Sequence, residues 1–577
     1  MSITGAELFV KALKEENVDK IFAYPGGNIT DILNALYKQN DIELILPRHE
    51  QALSHAADGY ARSTGKVGVC LVTSGPGATN LVTGIATANF DSVPMVCFTG
   101  QVPTHLIGND AFQEVDIVGI TRHICKYAVT VRKRSDLASI IKKAFFIARN
   151  GKPGVVLVDI PKDIQMEFGD RYYPESIEIR SYKPNTSVHI GQIKKAVDIL
   201  KKAKKPVFLI GGGVNIAHAN EEMKKLAEKS NVPVITTIMG KGAIPTNHEL
   251  FVGNIGIHGS FASNSAISEA DVLFSIGTRF NDRITGKISE FAKNATIIHV
   301  DIDPASISRN IVVDIPIVAD AKVSIQAITE KIDRLNTDDW LKQIKEWKEK
   351  YPLKMKSEGL TPQKIIETIN RKFDNLIVTT DVGQNQLWTT QYIELDENKQ
   401  LITSGGLGTM GFGFPSAIGA KLGNPDKTVI SISGDGGVQM NIQELATAVA
   451  YELPVILCIF NNGYLGNVRQ LQEFFSKGHY SCVCLKYDRN CDCTVAKNVP
   501  KAGCAKKPYS PDFVKLAESY GAKGIRVINE EDIEKAFDEA AKNKKTPTII
   551  EFMIEREEDV LPMVLLGNPL NEMIIEK

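Results

Sequence analysis

The sequence predicts an α/β protein made of three doubly wound domains with mainly parallel sheets. Short apolar runs, for example 67–72, 95–98 and 155–158, alternate with helix-length amphipathic stretches almost from end to end. This alternation is typical of repeated βα units. The runs are nearly continuous in apolar residues, which indicates strands buried on both faces of parallel sheets. With 577 residues, the chain is long enough for roughly three or four domains.

Changes in composition predict where the domains begin and end. The N-terminal domain is expected over residues 1–168, and the polar stretch that follows is typical of a linker. The central domain is expected over 189–335, where a triglycine directly follows an apolar run, and a charged stretch comes after it. The C-terminal domain is expected over 360–577, with a Cys-rich insert at 482–508.

Charge and hydropathy exclude some classes of partner. The chain has 67 Lys plus Arg against 68 Asp plus Glu, a net charge of −1, so nothing favours nucleic acid or an anionic membrane. No apolar run reaches the roughly 18 residues of a membrane span. The N-terminal residues lack the basic and apolar regions of a signal peptide. We therefore expect a cytoplasmic protein that binds neither nucleic acid nor membrane.

A metal–diphosphate signature lies in the C-terminal block. Gly434-Asp435-Gly436 follows one apolar run, and Asn461-Asn462 follows the next after 24 intervening residues. Both polar elements are therefore expected at the carboxyl ends of strands, where α/β sheets bind ligands. Mg²⁺ prefers hard oxygen ligands, which the Asp435 carboxylate, the Asn462 amide and a backbone carbonyl just beyond it can supply. Taken separately, each of these two short motifs is also an ordinary turn signal. Their spacing and their placement after strands favour the ligand site.

Together these motifs identify a resemblance to the thiamine-diphosphate enzymes, specifically to the catalytic subunits of the acetolactate (acetohydroxyacid) synthase family. The resemblance covers nearly the whole chain. The segments that carry it, besides the signature, are 24–27, 47–51, 73–80, 110–114 and 439–445.

The resemblance implies roles for residues near the reacting centre. Glu50 is expected to share a proton with N1′ of the cofactor's aminopyrimidine and so to activate the thiazolium, for which a desolvated cleft is suitable. Gly27 is expected beside the reacting centre, Phe112 and Gln113 in the pocket of the developing oxyanion, and Lys162 at the mouth of the substrate channel. The third metal ligand would come from Tyr464. The cofactor-binding residues implied in addition are Ser92, Gln384, Asn385, Gly408, Thr409, Met410 (which supports the bent cofactor), Asp435, Gly436, Gly437, Asn462, Gly463, Tyr464, Leu465, Gly466 and Asn467.

The central block resembles the FAD-binding domain of the biosynthetic members of this family. Triglycine after an apolar run is a weak signal when it stands alone. The resemblance nevertheless implies a bound FAD without an obvious redox role, although Lys152 and Asn281 stand where the family has Arg and Asp. The FAD-binding residues implied are Gly212, Thr237, Ile238, Ile257, His258, Gly277, Arg279, Arg283, Asp301, Ile302, Asp320 and Ala321.

Two further departures concern the substrate channel and the cover of the site. Leu471 stands where the family usually has Trp, whose indole favours 2-ketobutyrate as the second substrate. Leu presents less flat area and no N–H, so we expect a weaker preference for 2-ketobutyrate. Leu565-Leu566 stand where Pro-Pro is common, so the C-terminal cover is expected to differ.

Five of the nine cysteines crowd into the insert. Four of these five could bind Zn²⁺ tetrahedrally or hold an iron–sulfur cluster, namely Cys482, Cys484, Cys491 and Cys493; the fifth is Cys504. However, C-x-C is not the usual C-x₂-C spacing, and a surface loop that is merely tolerated remains the alternative.

The resemblance implies decarboxylation of pyruvate and ligation of the two-carbon unit to pyruvate or 2-ketobutyrate, the first common step of branched-chain amino-acid synthesis. It also implies a homodimer or homotetramer and allows a small regulatory subunit. The alternatives are another thiamine-diphosphate enzyme (pyruvate oxidase, a decarboxylase or sulfoacetaldehyde acetyltransferase) and a non-catalytic flavin- or nucleotide-binding regulator.

Overall fold

The computed structural model describes residues 2–185, 187–355, 357–485 and 510–576. The chain divides into two compact units. The first comprises Met1–Lys183, Ile377–Gly383 and Ile402–Met553, and the second Pro184–Leu376, Gln384–Leu401 and Ile554–Lys577. Three six-stranded sheets form the framework, and this confirms the predicted α/β class with three mainly parallel sheets. Among the described residues, no helix combines the length and the apolar character needed to cross a membrane.

The first sheet has the strand order β3-β2-β4-β5-β7-β6, with parallel neighbours. Its nearly continuous apolar strands are buried on both faces, because helices cover each side. Its six strands are β2 Lys20–Tyr24, β3 Glu43–Ile45, β4 Gly68–Val72, β5 Met95–Gln101, β6 Tyr127–Thr130 and β7 Val155–Pro161, while β1 Ile3–Thr4 and β8 Phe168–Gly169 form a separate antiparallel pair. The helices are α1 Gly5–Glu15, α2 Thr30–Tyr37, α3 Glu50–Thr64, α4 Pro76–Asn80, α5 Val82–Phe90, α6 Ile117–Thr121, α7 Leu137–Arg149 and α8 Lys162–Met166.

The second sheet has the order β11-β10-β9-β12-β13-β14. Numbered from its own first strand, this is the 3-2-1-4-5-6 order of dinucleotide-binding folds, in which β9 and β12 flank the switch point. Its strands are β9 Pro206–Ile210, β10 Val234–Thr236, β11 Phe251–Asn254, β12 Val272–Ile276, β13 Thr296–Asp301 and β14 Ile315–Val318. The helices here are α9 Ile190–Leu200, α10 Gly212–Ile216, α11 Asn220–Ser230, α12 Phe261–Glu269, α13 Asp282–Thr285, α14 Ala321–Lys331 and α15 Asp338–Lys350.

The third sheet has the order β16-β15-β17-β18-β20-β19. Counted from its first strand, this is the same 2-1-3-4-6-5 order as in the first sheet, so the two modules share one topology. Its strands are β15 Leu376–Thr380, β16 Lys399–Thr403, β17 Thr428–Gly434, β18 Ile456–Phe460, β19 Lys523–Val527 and β20 Thr548–Phe552, and the short pair β21 Met563–Val564 and β22 Met573–Ile574 follows. The helices of this part of the chain are α16 Pro362–Lys372 and α17 Gln384–Tyr392, which belong to the second unit, and α18 Gly413–Gly423, α19 Asp435–Val438, α20 Leu445–Ala450, α21 Gly466–Phe475, α22 Phe513–Ser519 and α23 Ile533–Lys542, which belong to the first.

Helices α3 and α18 join the first and third sheets within the first unit. Two glycines make their close approach possible. A Cβ on Gly59 would lie 2.0 Å from the Ser416 carbonyl oxygen, and one on Gly419 would lie 1.8 Å from that of Ala56. Any larger residue would force the helices apart. The helix that begins at Glu50 is therefore fixed against the module that carries Asp435.

Candidate active site

Asp435 and Asn462 lie at the carboxyl ends of neighbouring strands. β17 and β18 are parallel, with Gly434 beside Phe460, so both polar residues are at one edge of the sheet. Asp435 is 3% exposed at the first position of α19, and Asn462 Oδ1 accepts a hydrogen bond from the Tyr464 N–H at 3.0 Å. A carboxylate, an amide oxygen and a nearby carbonyl are the hard oxygen donors that fit Mg²⁺.

The other predicted diphosphate segments converge on the same edge. A Cβ built on Gly436 would lie 2.7 Å from Leu465 Cδ2 and 3.8 Å from Met410 Cε, so segments 435–437, 463–467 and 408–410 adjoin one another. Gly408 and Gly463 have positive φ, and Gly466 and Asn467 begin α21. Thr409 shares a 2.7 Å hydroxyl–hydroxyl hydrogen bond with Thr87.

Asp381 was missed by the sequence reasoning, although it follows β15 just as Asp435 follows β17. Its buried carboxylate accepts the N–H groups of Gly411, Gly413 and Val382 at 2.8–3.2 Å. Burial raises the pKa of this carboxyl to about 6, and those hydrogen bonds oppose the rise. Because Gly411 follows Met410, the carboxylate fixes the backbone that presents Met410. A polar residue at the end of a buried strand was the signal available in the sequence.

Glu50 is the first residue of α3, and its carboxylate is largely buried at 8% exposure. Asn80 donates from Nδ2 to Glu50 Oε2 at 2.9 Å. A Cβ on Gly77 would lie 3.4 Å from Glu50 Oε1, so the glycine-rich turn before α4 packs against the same carboxyl. The negative charge also lies at a helix N-terminus, which favours it. Asn80, also missed, is therefore the direct partner of Glu50.

Lys162 and Gly27 are brought together by the fold. The Lys162 ammonium donates to the Gly27 carbonyl at 2.8 Å and to Thr30 Oγ1 at 2.5 Å, and it forms an ion pair with Asp31 at 2.9 Å. A Cβ on Gly27 would meet nothing within 4 Å, so the space beside this residue is open. Lys162 thus supports the loop that borders that space.

Gln113 and Phe112 lie on a loop held by Glu114, whose carboxylate accepts the N–H groups of Gly108 and Ala111. Gln113 has φ +60°, a conformation that is uncommon for a non-glycine residue and concentrates at functional sites. A Cβ on Gly75 would lie 2.9 Å from the Gln113 carbonyl oxygen, so Gln113 packs against the turn that also carries Gly77, the neighbour of Glu50. Phe112 is 88% exposed.

Ser92 has φ +59° and directly follows a buried ionic cluster. The Asp91 carboxylate accepts from Arg62 at 3.1 Å and from the Gly405 N–H at 3.0 Å, and Arg62 also pairs with Asp58 at 2.6 Å. Burial raises the pKa of Asp58, and the Arg62 charge opposes the rise. The cluster holds Ser92 beside the segment that leads to Gly408 and Thr409.

The central sheet forms a glycine-lined cleft at its switch point. β9 and β12 are parallel neighbours, with Ile210 beside Ile276. A Cβ on Gly211 would lie 2.1 Å from the Gly277 carbonyl oxygen, and Gly277 itself has φ +63°. Only glycine permits this contact between two turns. The space outside such strand ends is where dinucleotides bind, so the residues present fit a flavin nucleotide.

The predicted FAD residues all belong to the second unit, on loops that follow its strands. Thr237 and Ile238 follow β10, and the Thr237 hydroxyl accepts from the Gly240 N–H at 3.1 Å. Asp301 ends β13 and accepts from the Asp303 N–H at 2.8 Å, while Asp320 caps α14 by accepting from Lys322 N–H at 2.9 Å. Ile302 and Ala321 follow these two aspartates, Gly212 begins α10, and Arg279, Asn281 and Arg283 follow Gly277.

Two side chains, Lys241 and Gln391, tie the loops near this cleft to α17. Lys241 is buried and donates to the Thr390 carbonyl at 2.6 Å. Burial lowers its pKa to about 7, and the Glu394 charge opposes this. Gln391 donates to the His258 carbonyl at 3.3 Å, and Val564 N–H donates to the Ile257 carbonyl at 2.8 Å. Gln384 and Asn385, predicted to bind thiamine diphosphate, are buried at the start of α17 in this unit.

The departures from the family pattern fall on α21, the C-terminal segment and the insert. Leu471 is half-buried on α21, and Leu566 is exposed. Cys482 is exposed and Cys484 is half-buried opposite Tyr464, whereas Cys491 and Cys493 lie outside the described residues. Across the described ranges, which stop at 485 and resume at 510, no group of three or more His, Cys, Asp or Glu side chains is arranged to hold a metal.

Comparison with protein families agrees with this geometry. The N-terminal TPP-binding domain of thiamine pyrophosphate enzymes matches residues 3–120, the central domain matches 193–328, and the C-terminal TPP-binding domain matches 381–552. The fold and the site thus define a thiamine pyrophosphate enzyme.

Comparison with individual proteins narrows the class. The acetolactate synthase large subunit of Haemophilus influenzae is 44% identical over 100% of this chain and 98% of its own length. A probable acetolactate synthase large subunit of Methanococcus aeolicus is 45% identical over 99% of this chain and 95% of its own length. The large subunit of acetolactate synthase isozyme 3 of Escherichia coli is 42% identical over 100% of this chain and 99% of its own length. The chain belongs to the family of acetolactate synthase large subunits.

Proposed function

We propose that this chain decarboxylates pyruvate on thiamine diphosphate and joins the two-carbon unit to a second 2-keto acid. With pyruvate the product is 2-acetolactate, and with 2-ketobutyrate it is 2-aceto-2-hydroxybutyrate. This is the first common step of valine, leucine and isoleucine synthesis. The observation that carries the proposal is the buried Glu50 carboxylate at the start of α3, held by Asn80, in a chain that also retains Asp435 and Asn462 at adjoining strand ends.

The chain's own residues supply proton transfer and orientation. When bound, thiamine diphosphate supplies a nucleophilic carbon and an electron sink. Glu50 exchanges a proton with the aminopyrimidine N1′, and its Asn80 partner keeps the carboxyl in one orientation. Gln113 and Phe112 line the pocket where negative charge develops on oxygen, Gln113 with a polar side chain and Phe112 with an apolar one. Lys162 keeps the Gly27 loop open to the incoming acid.

Mg²⁺ and FAD are the further groups that the residues favour. Asp435, Asn462 and the Tyr464 carbonyl would hold Mg²⁺, because each offers a hard oxygen. FAD would occupy the cleft outside the strand ends, where the Gly211 and Gly277 turns meet. Its role would be structural, since the overall reaction needs no net oxidation.

The active enzyme would be a homodimer or homotetramer with a small regulatory subunit. Phe112 supports an assembly, because a phenylalanine that is 88% exposed in one chain would gain from being covered by another. The relatives are named large subunits, which supports a small partner chain.

One assay separates the candidate functions. The protein is incubated with pyruvate, thiamine diphosphate and Mg²⁺, with and without FAD, and the products are identified. Acetolactate is expected. Acetaldehyde or acetyl phosphate would reassign the chain to a decarboxylase or an oxidase, and absence of turnover would favour a non-catalytic flavin-binding regulator.

The cysteine-rich insert remains a predicted Zn²⁺ or iron–sulfur site. Metal analysis of anaerobically purified protein tests this prediction. A stoichiometric metal that is lost in a Cys491→Ser and Cys493→Ser variant would support the site, and a metal-free preparation would leave the alternative of a surface loop that is merely tolerated.

A further inference from the structure

Glu444 lies directly behind the segment that leads to Glu50, although 396 positions separate it from Arg48. Its two carboxylate oxygens accept the Arg48 N–H at 3.0 and 3.1 Å, and Thr447 Oγ1 donates to one of them at 2.6 Å. The residue is 1% exposed. A buried carboxylate is costly unless it is hydrogen-bonded, so these donors are part of what keeps Glu444 in place.

The contact controls the start of helix α3. Arg48 is followed by His49, the extended N-cap residue, and then by Glu50. Tyr451 holds the preceding residues, because its hydroxyl accepts from the Leu46 N–H at 2.8 Å and donates to the Leu44 carbonyl at 3.0 Å. The turn between β3 and α3 is thus fixed on both sides of Pro47. The direction of the Glu50 side chain depends on this backbone.

Glu444 is also connected to the metal–diphosphate loop. Its N–H donates to the Asn441 carbonyl at 3.2 Å, and Asn441 Nδ2 donates to the Gly411 carbonyl, next to Met410, at 2.8 Å. Gln439 Nε2 donates to the Asp435 carbonyl at 2.8 Å. Segment 439–444 therefore contacts the backbone at three places in the proposed site: at Arg48 before Glu50, at Gly411 beside Met410, and at Asp435.

We propose that Glu444 is a positioning residue for Glu50, holding the Arg48 backbone so that the Glu50 carboxyl meets the aminopyrimidine. The proposal rests on the proposed function, because it takes Glu50 as the proton-transfer group. Sequence patterns gave Glu444 no role of its own. Its effect is exerted through the backbone of residues 48–50, and it need not touch cofactor or substrate.

The environment of Glu444 adds a pH dependence. Burial raises its pKa to about 7, and the Thr447 hydroxyl, the Arg48 and His49 N–H groups and the Arg48 charge oppose the rise. Arg48 is the charged side chain that faces it from the α3 turn, and Thr447 is the polar one from its own helix. Below about pH 7 the carboxyl gains a proton and becomes a weaker acceptor for the Arg48 N–H. The position of Glu50 is therefore less tightly held in acid.

The test compares Glu444→Gln with Glu452→Gln, the same change at an exposed glutamate nearby. In the holoenzyme, exchange of the cofactor's C2 proton with D₂O is followed by NMR from about pH 5.5 to 8.5, a range that brackets the Glu444 pKa of about 7. At the alkaline end, Glu444→Gln is expected to slow exchange about tenfold, the order of effect of a small misplacement. It should also remove the ionisation near pH 7, with thiamine-diphosphate affinity unchanged. Glu452→Gln should behave as the wild type.

Other outcomes overturn the proposal. Wild-type exchange rates in Glu444→Gln refute it, and so does slow exchange that keeps the wild-type pH profile, because that would be a general structural defect. Glu444→Asp, one methylene shorter, replaces Glu444→Gln if that variant does not fold, and it should keep the ionisation while slowing exchange. C2 exchange needs no keto acid, so an absence of acetolactate would count against the proposed reaction and leave the Glu444 comparison intact.

The stability of the cofactor-free protein gives a second measurement beside the C2 proton exchange. Because the folded-state pKa of Glu444 is raised, its contribution to stability is full at low pH and is lost as pH rises through about 7. In chemical denaturation, the cofactor-free wild type is therefore expected to lose stability relative to Glu444→Gln as pH rises from about 4.5, the ordinary pKa of a glutamate, to about 7, its pKa in the fold. A difference that is constant across this range would show that Glu444 does not titrate there.

Discussion

Replacing Glu50 by Gln tests the centre of the proposed chemistry. The amide keeps the volume of the side chain and an oxygen that can accept the Asn80 hydrogen bond, which is 2.9 Å long. It removes the exchangeable carboxyl proton. A hydrogen bond to a charged acceptor contributes about 1.5–3 kcal/mol and one to a neutral acceptor about 1 kcal/mol. The stability lost is therefore about 1 kcal/mol, and relief of the buried charge offsets part of it.

The effect on catalysis should be much larger than the effect on stability. General acid–base catalysis contributes about 10²–10⁴-fold, equivalent to about 3–5 kcal/mol of transition-state stabilisation. We expect kcat to fall by that factor, while the pyruvate KM and the unfolding midpoint change little. Steady-state acetolactate formation measures kcat and the pyruvate KM, and denaturant unfolding measures the midpoint. A Glu50→Gln enzyme within about tenfold of wild-type kcat would refute the role of Glu50, because it would fall below the range for acid–base catalysis.

Three further predictions concern the diphosphate loop, the substrate channel and the flavin-side loop. Gly437→Ala places a Cβ 2.3 Å from Asp381 Oδ1. We therefore expect a loss of about 1–3 kcal/mol in stability and weaker binding of thiamine diphosphate. Calorimetry that shows neither effect would contradict the contact. Leu471→Trp should shift the product ratio toward 2-aceto-2-hydroxybutyrate when both keto acids compete, and a strong 2-ketobutyrate preference in the wild type would contradict the premise. Lys241→Met removes a lysine whose pKa is lowered to about 7. The stability contributed by that lysine is therefore present at high pH and lost as pH falls through about 7. Between about pH 7 and 9, the free energy of unfolding of the wild type should rise relative to that of the variant by at most about 1.4 kcal/mol per pH unit. Denaturation curves whose difference does not change with pH would exclude this titration.

Much of the fold could be predicted because parallel strands buried on both faces leave a strong local pattern. The parallel sheets, though not their number of strands, were implied by continuous apolar runs separated by helix-length segments. Asp435 and Asn462 could be placed for the same reason, since each directly follows such a run and β17 pairs with β18. Asp381 follows a run as well, but a lone aspartate after a strand carries no spacing that distinguishes it from a turn residue.

The sequence by itself determined the class of fold, the cofactor signature and the family, because these depend on residues close together along the chain. Only the tertiary structure showed that Lys162 supports Gly27, that Asn80 holds Glu50 and that Glu444 holds Arg48. These contacts join segments separated by 135, 30 and 396 positions. Periodicity reports which face of an element is buried, but it does not report which distant backbone packs there. The packing of α3 on α18, made possible by two glycines, brings Glu444 to the Arg48 turn.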